Sequence, residues 1–288
     1  MKSILLSACI FVGYIAFSQQ PPATDIYLFD LHIRRNNIRL ANPKNITARK
    51  GYDNQPFFHP EKPLLYYASA GEDGRTDIMI YNYQTDKTSQ LTYTADREYS
   101  PTVTPDGRFI SCIIQRDNGA QDLGKYPAEG GGPVILVDNL MVGYHAWVNE
   151  HELLLFVLGQ PNTLRLYHVN TREDKILAHH IGRSLHRIPG TGEMSFVEKQ
   201  TDNWFIKKYN PKSGKITTIS TTLPGREDLT WTPDGKICMS DGVQLYYLTP
   251  GSQASWKSIL MPKGIALKNI TRIAVNATGT RLAVVAEE

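Results

Sequence analysis

The sequence predicts an all-β fold, namely a six-bladed β-propeller with four antiparallel strands in each blade. A turn motif recurs along the chain, and residues 104–107 and 232–235 both read Thr-Pro-Asp-Gly. Weaker copies are centred on residues 60, 149, 189 and 277, so that successive copies lie 40 to 45 residues apart. A repeat of this length with four strands in each unit is typical of a propeller, and six copies predict six blades.

Each repeat contains segments with the residue types of four strands. Residues 99–104 lead into the Pro-Asp-Gly turn and the apolar run 109–114 leaves it, which predicts a tight connection between the first two strands. The third strand is rich in β-branched and aromatic residues, as in 77–83, 162–169, 204–209 and 243–248. A polar turn and a short fourth strand follow, as in 89–92 and 215–219.

The two ends of the chain predict how the ring closes. The C-terminal segments 270–276 and 281–286 supply only the first two strands of a unit. The N-terminal segments 25–31 and 38–40 match a third and a fourth strand. We therefore expect the sixth blade to combine two strands from each terminus, because this arrangement removes the open edges that an unclosed ring would expose.

One repeat also resembles a known family. An aromatic third strand is followed by Leu91-Thr92 and then by Ser-Pro-x-x-x-Pro-Asp-Gly at residues 100–107, which resembles the TolB-type six-bladed propeller repeat. The resemblance covers essentially the whole mature chain. Propellers of this type occur in binding proteins and as the substrate-filtering domain of prolyl-oligopeptidase-like peptidases, so the resemblance implies a fold rather than one function.

The sequence departs from the family pattern in two places. TolB resembles a propeller preceded by a separate α/β domain that engages its partners, whereas few residues precede the first full blade here. The second blade lacks a recognisable aromatic third strand and carries residues 121–126 at that place. The shared biology of the family is therefore not implied by the repeat.

The first residues are typical of a secretory signal peptide. Lys2 precedes a short apolar stretch at 4–17, and small residues precede a cleavage point after Ser18. The stretch is short for a membrane span. We expect residues 1–18 to be removed and residues 19–288 to form a single propeller domain in the periplasm or outside the cell. Lipid attachment at Cys9, within a lipoprotein-like box, is the less favoured alternative.

The charge of the sequence argues against two classes of partner, and the positions of its cysteines argue against a disulfide bond. The formal net charge is +3, and no basic run or tail is present, which argues against nucleic acid or an anionic membrane as partner. The two cysteines of the mature chain, Cys112 and Cys238, lie on second strands of blades two and five, on opposite sides of the ring. We expect them to be buried free thiols.

Catalytic and metal-binding motifs are absent from the sequence. It has no Gly-x-Ser-x-Gly elbow, and His151-Glu152 lacks the second histidine of a zinc-protease helix. Six of the eight histidines lie between His145 and His186, without ligand spacing. The acidic loops 70–75 and 115–122 could hold calcium, but hairpin turns explain their composition equally well. We expect no cofactor, no metal and no catalytic residue.

Superposing the repeats predicts a binding site instead. The inner strand of each blade starts at the mouth of the central channel, so the residues four to seven positions before each turn marker should converge there. The predicted site residues are Asp53, Asn54, Glu98, Tyr99, Tyr144, His145, Arg183, Arg226, Glu227, Asp228 and Arg272. Arginine forks suit carboxylates, and tyrosine faces suit sugar or peptide surfaces. Alternatively, these charges pair with one another and seal the mouth.

The leading functional hypothesis is an exported, monomeric, non-enzymatic propeller that binds an envelope protein, a peptide or a glycan at this face. The alternative is a propeller hydrolase, lactonase or lyase that uses the carboxylates of the channel mouth. Both hypotheses place the site at the starts of the inner strands.

The signal-peptide prediction can be checked directly. Because cleavage is expected after Ser18, the intact mass of the exported protein should correspond to a chain that begins at Gln19. A mass that corresponds to a lipidated chain beginning at Cys9 would contradict cleavage at Ser18.

Overall fold

The computed structural model describes residues 22–35, 37–251 and 254–287, which form 24 β-strands. The predicted signal peptide and Cys9 lie outside these residues. The strands form six four-stranded antiparallel sheets, which are the blades of a propeller. The predicted fold class is therefore confirmed. Within the described part of the chain, no helix has the length and hydropathy needed to cross a membrane.

The chain begins in the last blade and then completes the other five in order. The first two strands are β1 (Thr24–Arg34) and β2 (Asn37–Asn45). Blade one contains β3 (Asp53–Phe58), β4 (Leu64–Ala70), β5 (Thr76–Asn82) and β6 (Lys87–Gln90). Blade two contains β7 (Arg97–Val103), β8 (Phe109–Gln115), β9 (Gln121–Pro127) and β10 (Val134–Val137).

The remaining blades repeat the same order. Blade three contains β11 (Val142–Trp147), β12 (Glu152–Val157), β13 (Thr163–His168) and β14 (Asp174–His179). Blade four contains β15 (Ile181–Arg187), β16 (Met194–Lys199), β17 (Trp204–Tyr209) and β18 (Ile216–Thr221). Blade five contains β19 (Leu229–Trp231), β20 (Ile237–Ser240), β21 (Leu245–Leu248) and β22 (Lys257–Ser258). The chain ends with β23 (Lys268–Val275) and β24 (Arg281–Glu287).

The sixth blade joins the two ends of the chain, as the sequence predicted. Its sheet has the order β2-β1-β24-β23. Strand β1 pairs antiparallel with β24 over seven residue pairs, from Thr24 opposite Glu287 to Asp30 opposite Arg281. Because this pairing supplies backbone partners to both terminal segments, the ring has no open blade edge at the seam.

The hydrophobic core lies between the blades. The buried apolar side chains of the described residues form six clusters, each shared by two neighbouring blades. Strand β1 shows the underlying alternation, because Ile26 and Leu28 pack toward blade one whereas Phe29 and Leu31 pack toward blade five. Successive side chains of a strand point to opposite faces of its sheet, so one strand contributes to two clusters.

The Thr-Pro-Asp-Gly motifs form the turns between first and second strands. In the first copy the Thr104 hydroxyl donates to the Asp106 carboxylate at 2.5 Å, and the Gly107 amide donates to the Thr104 carbonyl at 2.8 Å. Gly107 has a φ of 68°, a conformation that glycine adopts without steric strain. The copy at residues 232–235 has the same hydrogen bonds. Each of these turns follows the last residue of an inner strand, at the opposite end of the strand from the channel mouth.

Blade two contains a complete third strand despite its unusual composition. Strand β9 pairs with β8 on one side and with β10 on the other. Gly124 leaves space for Ile114, since a Cβ atom at this position would lie 2.5 Å from the Ile114 side chain. Tyr126 of the same strand is buried in the cluster between blades one and two. A glycine therefore replaces the usual large residue because the neighbouring strand fills the space.

The prediction of two buried free thiols is confirmed. Cys112 in β8 and Cys238 in β20 are free and buried. Burial raises the pKa of Cys238 to about 12, and it raises that of Cys112 as well. Both therefore act as small core residues.

The seam makes a testable contribution to stability. Phe29 is fully buried in the cluster between blades five and six, so Phe29→Ala should lower the free energy of unfolding by about 3 to 5 kcal/mol. Tyr93 is 76 % exposed, and Tyr93→Ala is the matched control, with an expected change within about 0.5 kcal/mol. Chemical denaturation measures both. Equal effects of the two substitutions would show that the seam is not packed as described.

Candidate functional site

The mouth of the axial channel holds a cavity of about 110 Å³ to which all six blades contribute. Each blade provides the residue five positions before its turn marker. These residues are Gln55, Ser100, Tyr144, Ser184, Asp228 and Arg272. A single repeat position therefore defines the inner ring of the site.

Irregular pairing of the inner strands accompanies this arrangement, except in blade five, where Asp228 precedes a regularly paired strand. In five of the six blades the pairing of the first with the second strand shifts register near the mouth, as between Tyr99 and Thr102 in blade two. Gln55 and Ser100 have φ values of 58° and 53°, and the Gln55 side chain accepts a hydrogen bond from the Ser100 amide at 2.6 Å. A bulge redirects side chains and increases the local twist, and here it opens the inner strands toward the axis.

Two arginines share one carboxylate in the cavity. Arg183 donates to both oxygens of Asp228, from Nε at 3.1 Å and from Nη2 at 2.6 Å. Arg272 donates to the same Asp228 from Nη1 at 2.8 Å. This bidentate pairing is the geometry in which a guanidinium holds a carboxylate most strongly.

A hydrogen bond crosses the channel between opposite blades. Arg272 of blade six donates from Nη2 to the Tyr144 hydroxyl of blade three at 2.8 Å, and its guanidinium carbon lies 5.0 Å from the Tyr144 ring centroid. Because blades three and six face each other in a six-membered ring, this contact spans the channel at the level of the inner ring. A ligand at the mouth would lie against it.

The charged groups of this cavity remain ionised. Burial opposes ionisation of Asp228, but the charge of Arg272 and the hydrogen bonds of Arg183 hold its pKa below the usual range. Burial disfavours the cation of Arg183, and the hydrogen bond to Asp228 nevertheless raises its pKa. Both arginines therefore share Asp228, and Arg183 also lies 3.8 Å from the Glu227 carboxylate.

A second cavity of about 110 Å³ adjoins the first and is lined by Arg226 and Glu227. The Glu227 carboxylate accepts a hydrogen bond from the Arg183 backbone amide at 2.8 Å. It also forms an ion pair with the Lys199 ammonium at 3.0 Å. Arg226 donates to the backbone carbonyl of Asp241. Both side chains are therefore held at the mouth by blades four and five.

Two histidines, the buried His145 and the half-buried His186, line the first cavity and are neutral at physiological pH. Burial lowers the pKa of His145 to about 3 and that of His186 to about 4. His145 Nε2 lies 2.7 Å from the Ser111 hydroxyl, which also accepts a hydrogen bond from Trp147 at 2.9 Å. His186 Nε2 lies 2.9 Å from the Ser184 hydroxyl.

Four of the predicted residues lie away from both cavities. Asp53 and Glu98 are fully buried within their blades, where burial raises the pKa of each carboxyl. Asp53 accepts from Arg49 at 2.8 Å, and Glu98 accepts from Thr94 at 2.6 Å and from Tyr126 at 2.8 Å. Asn54 is also buried, and Tyr99 forms an edge-to-face contact with Tyr52. A binding role for these four stays a prediction.

The structure brings together seven of the predicted residues at the mouth. They are Tyr144, His145, Arg183, Arg226, Glu227, Asp228 and Arg272. It adds residues that were not among the predicted site residues, namely Gln55, Ser100, Ser184, His186 and, through Glu227, Lys199. The first three occupy the fifth position before the turn marker, so the narrower repeat position would have identified them. The repeat pattern does not predict Lys199, because this residue is the last one of a second strand, β16, and does not belong to an inner strand.

The alternative interpretation, in which the charges of the mouth pair with one another, is also supported by the geometry, since these charges contact one another. Charges of the acidic loops also pair within the chain, because the Asp117 carboxylate accepts hydrogen bonds from Arg75 at 3.1 Å and from Arg97 at 2.8 Å.

In residues 22–35, 37–251 and 254–287, no three His, Cys, Asp or Glu side chains are grouped so as to hold a metal ion.

Comparison with known proteins identifies the fold but no family. No protein-family model matches the sequence, and no curated protein is significantly similar to it. A structure from Agrobacterium tumefaciens assigned as TolB has a TM-score of 0.71 at 13% identity, over 92% of this chain and 98% of the other. TolB of Acinetobacter baumannii has a TM-score of 0.59 at 12% identity, over 93% and 64%.

An oligogalacturonate lyase in complex with manganese has a similar structure, with a TM-score of 0.56 at 14% identity over 88% of this chain and 83% of that chain. Likeness at this level of identity shows the fold alone. The chain has the fold of a TolB-like six-bladed propeller. It spans about two thirds of the length of the Acinetobacter protein.

The buried histidine predicts a pH dependence of stability. The folded-state pKa of His145 is lowered to about 3, so the unfolded chain binds a proton that the folded chain excludes. Its contribution is complete above about pH 6.5 and is lost as the pH falls toward 3, at up to about 1.4 kcal/mol per pH unit. In His145→Gln, the free energy of unfolding should therefore decline less steeply between pH 6.5 and 4.

Urea denaturation at several pH values measures this slope. His32 is exposed on β1, so His32→Gln is the matched control. An unchanged slope in His145→Gln would show that the imidazole of His145 is accessible to protons in the folded protein.

Proposed function

We propose that this chain is an exported, monomeric, non-enzymatic binding propeller that captures an envelope protein, a peptide or a glycan at the mouth of its axial channel. The observation that carries the proposal is the cavity at which all six blades meet, where Arg183 and Arg272 share the single carboxylate of Asp228. Concave sites that combine apolar walls with a few convergent polar groups are typical of ligand binding.

The exposure of the arginines supports recognition at this face. The Arg183 side chain is 33% exposed and the Arg272 side chain 15%, and both line the cavity, so part of each side chain is open to a ligand. The predicted signal peptide and the TolB-like fold favour the periplasm or the exterior of the cell as the place of action.

The enzymatic alternative has one observation in its favour, namely the fold shared with a manganese-bound oligogalacturonate lyase. The carboxylates that would serve it are already engaged. Asp228 is paired with two arginines, Glu227 is paired with Lys199, and Glu98 is buried between Thr94 and Tyr126. A general base must reach the proton that it removes, and these carboxylates are committed to cations or to the blade interior. Binding is therefore the better supported function.

The proposal can be tested by capture from an extract of the cell envelope. Immobilised protein should retain a specific partner, and Arg183→Gln should reduce the retained amount at least about tenfold, because a charge-assisted bond at the mouth is lost. Its fold should persist, since Asp228 keeps its bond to Arg272.

Lys208→Gln is the matched control. Lys208 lies in the same blade at the end far from the mouth, where it pairs with Glu193 at 2.7 Å. Equal retention by the wild-type protein and by folded Arg183→Gln would overturn the proposed site.

A further inference from the structure

The mouth of the channel carries more positive than negative charge. Arg183, Arg272 and Lys199 form ion pairs with only two carboxylates, Asp228 and Glu227. The neighbouring histidines add no negative charge and are neutral. One cation of this cluster is therefore not balanced within it, and a buried or half-buried cation is stabilised by an additional anion.

Polar side chains of two neighbouring blades also line the cavity, namely Ser100 of blade two and His145 of blade three. The Ser100 hydroxyl and Nδ1 of His145 are buried and have no hydrogen-bond partner among the described residues. Because both atoms are buried behind the cavity wall, neither contacts an occupant. The surplus of positive charge is therefore the feature that favours an anionic occupant.

The cavity has room for the end of one side chain. Its volume is about 110 Å³, and it adjoins the second cavity of about 110 Å³, with which it shares Arg183, Asp228 and Arg272. The carboxylate end of one acidic side chain fits between the two arginines, while the rest of a peptide lies outside the mouth. The bond between Arg272 and Tyr144 spans the channel at the inner ring, so we expect the side chain to enter from the mouth.

We propose that the channel mouth recognises an acidic peptide segment of a protein partner, with one Asp or Glu side chain inserted between Arg183 and Arg272. Asp228 occupies the position of an internal competitor, because it already holds both guanidiniums as a ligand carboxylate would. Bidentate arginine recognition suits a planar carboxylate. This inference rests on the proposed function and names the chemistry of its ligand.

The first experiment compares two peptides on the wild-type protein. The probes are acetyl-Gly-Gly-Glu-Gly-Gly-amide, whose only charge is the glutamate carboxylate, and its glutamine counterpart, each titrated and followed by NMR chemical-shift changes. The glutamate peptide should bind at least about tenfold more tightly, because only it forms charge-assisted bonds. Equal affinities would overturn the proposal without any requirement that a variant fold.

The second experiment removes the internal competitor. Asp228→Asn leaves both arginines without their carboxylate, so it should tighten binding of the glutamate peptide by about tenfold, whereas a purely structural role of Asp228 predicts no gain. Thermal unfolding verifies that the variant is folded, and Lys208→Gln should bind as the wild-type protein does. Unchanged or weaker binding by folded Asp228→Asn would contradict the competitor role.

A third titration, with galacturonate, distinguishes the source of the carboxylate. Tighter binding of the sugar acid than of the glutamate peptide would overturn the assignment to a peptide. If neither carboxylate ligand binds while capture from the envelope extract still depends on Arg183, the inference fails and the proposed function stands. If neither carboxylate ligand binds and capture from the extract does not depend on Arg183, both the inference and the proposed function are rejected.

Discussion

The pairing of β1 with β24 is the constraint on which the remaining structure depends. Each blade of a propeller packs both of its faces against neighbours, so the six hydrophobic clusters form a continuous ring only if the last blade is complete. The N-terminal strand completes it with backbone hydrogen bonds and with side chains on both faces, such as Ile26 and Phe29. Closure fixes the radius of the ring and thereby the distance between opposite blades at the axis.

That distance allows the chemistry of the channel mouth to arise from blades that are far apart in the sequence. Arg272 and Tyr144 belong to opposite blades and share a hydrogen bond, while Arg183 reaches Asp228 from the adjacent blade. Register shifts of the inner strands lie close to Tyr144, Arg183 and Arg272, whereas Asp228 directly precedes a strand with regular pairing. The site therefore combines a rigid frame with a few polar groups held in fixed orientations, which is an arrangement suited to recognition.

Much of the fold was predictable because its signals are local and repeated. Turn residues, strand composition and the spacing of the markers depend on short segments, and the split blade followed from the strand types at the two termini. Sequence also located the ring of inner-strand starts. It did not distinguish Glu98, which is buried within its blade, from Asp228, which lines the cavity, because both lie near the start of an inner strand; Glu98 is seven positions before its turn marker and Asp228 is five.

The sequence by itself determined the number of blades, the closure by both termini and the two buried thiols, since each follows from periodicity or from position within the repeat. Only the tertiary structure decided which charges meet. The sharing of Asp228 by two arginines, the bond across the channel and the unpartnered Nδ1 of His145 depend on side-chain distances between blades. Such distances are set by ring geometry and strand irregularity, and neither is encoded in the spacing of a repeat.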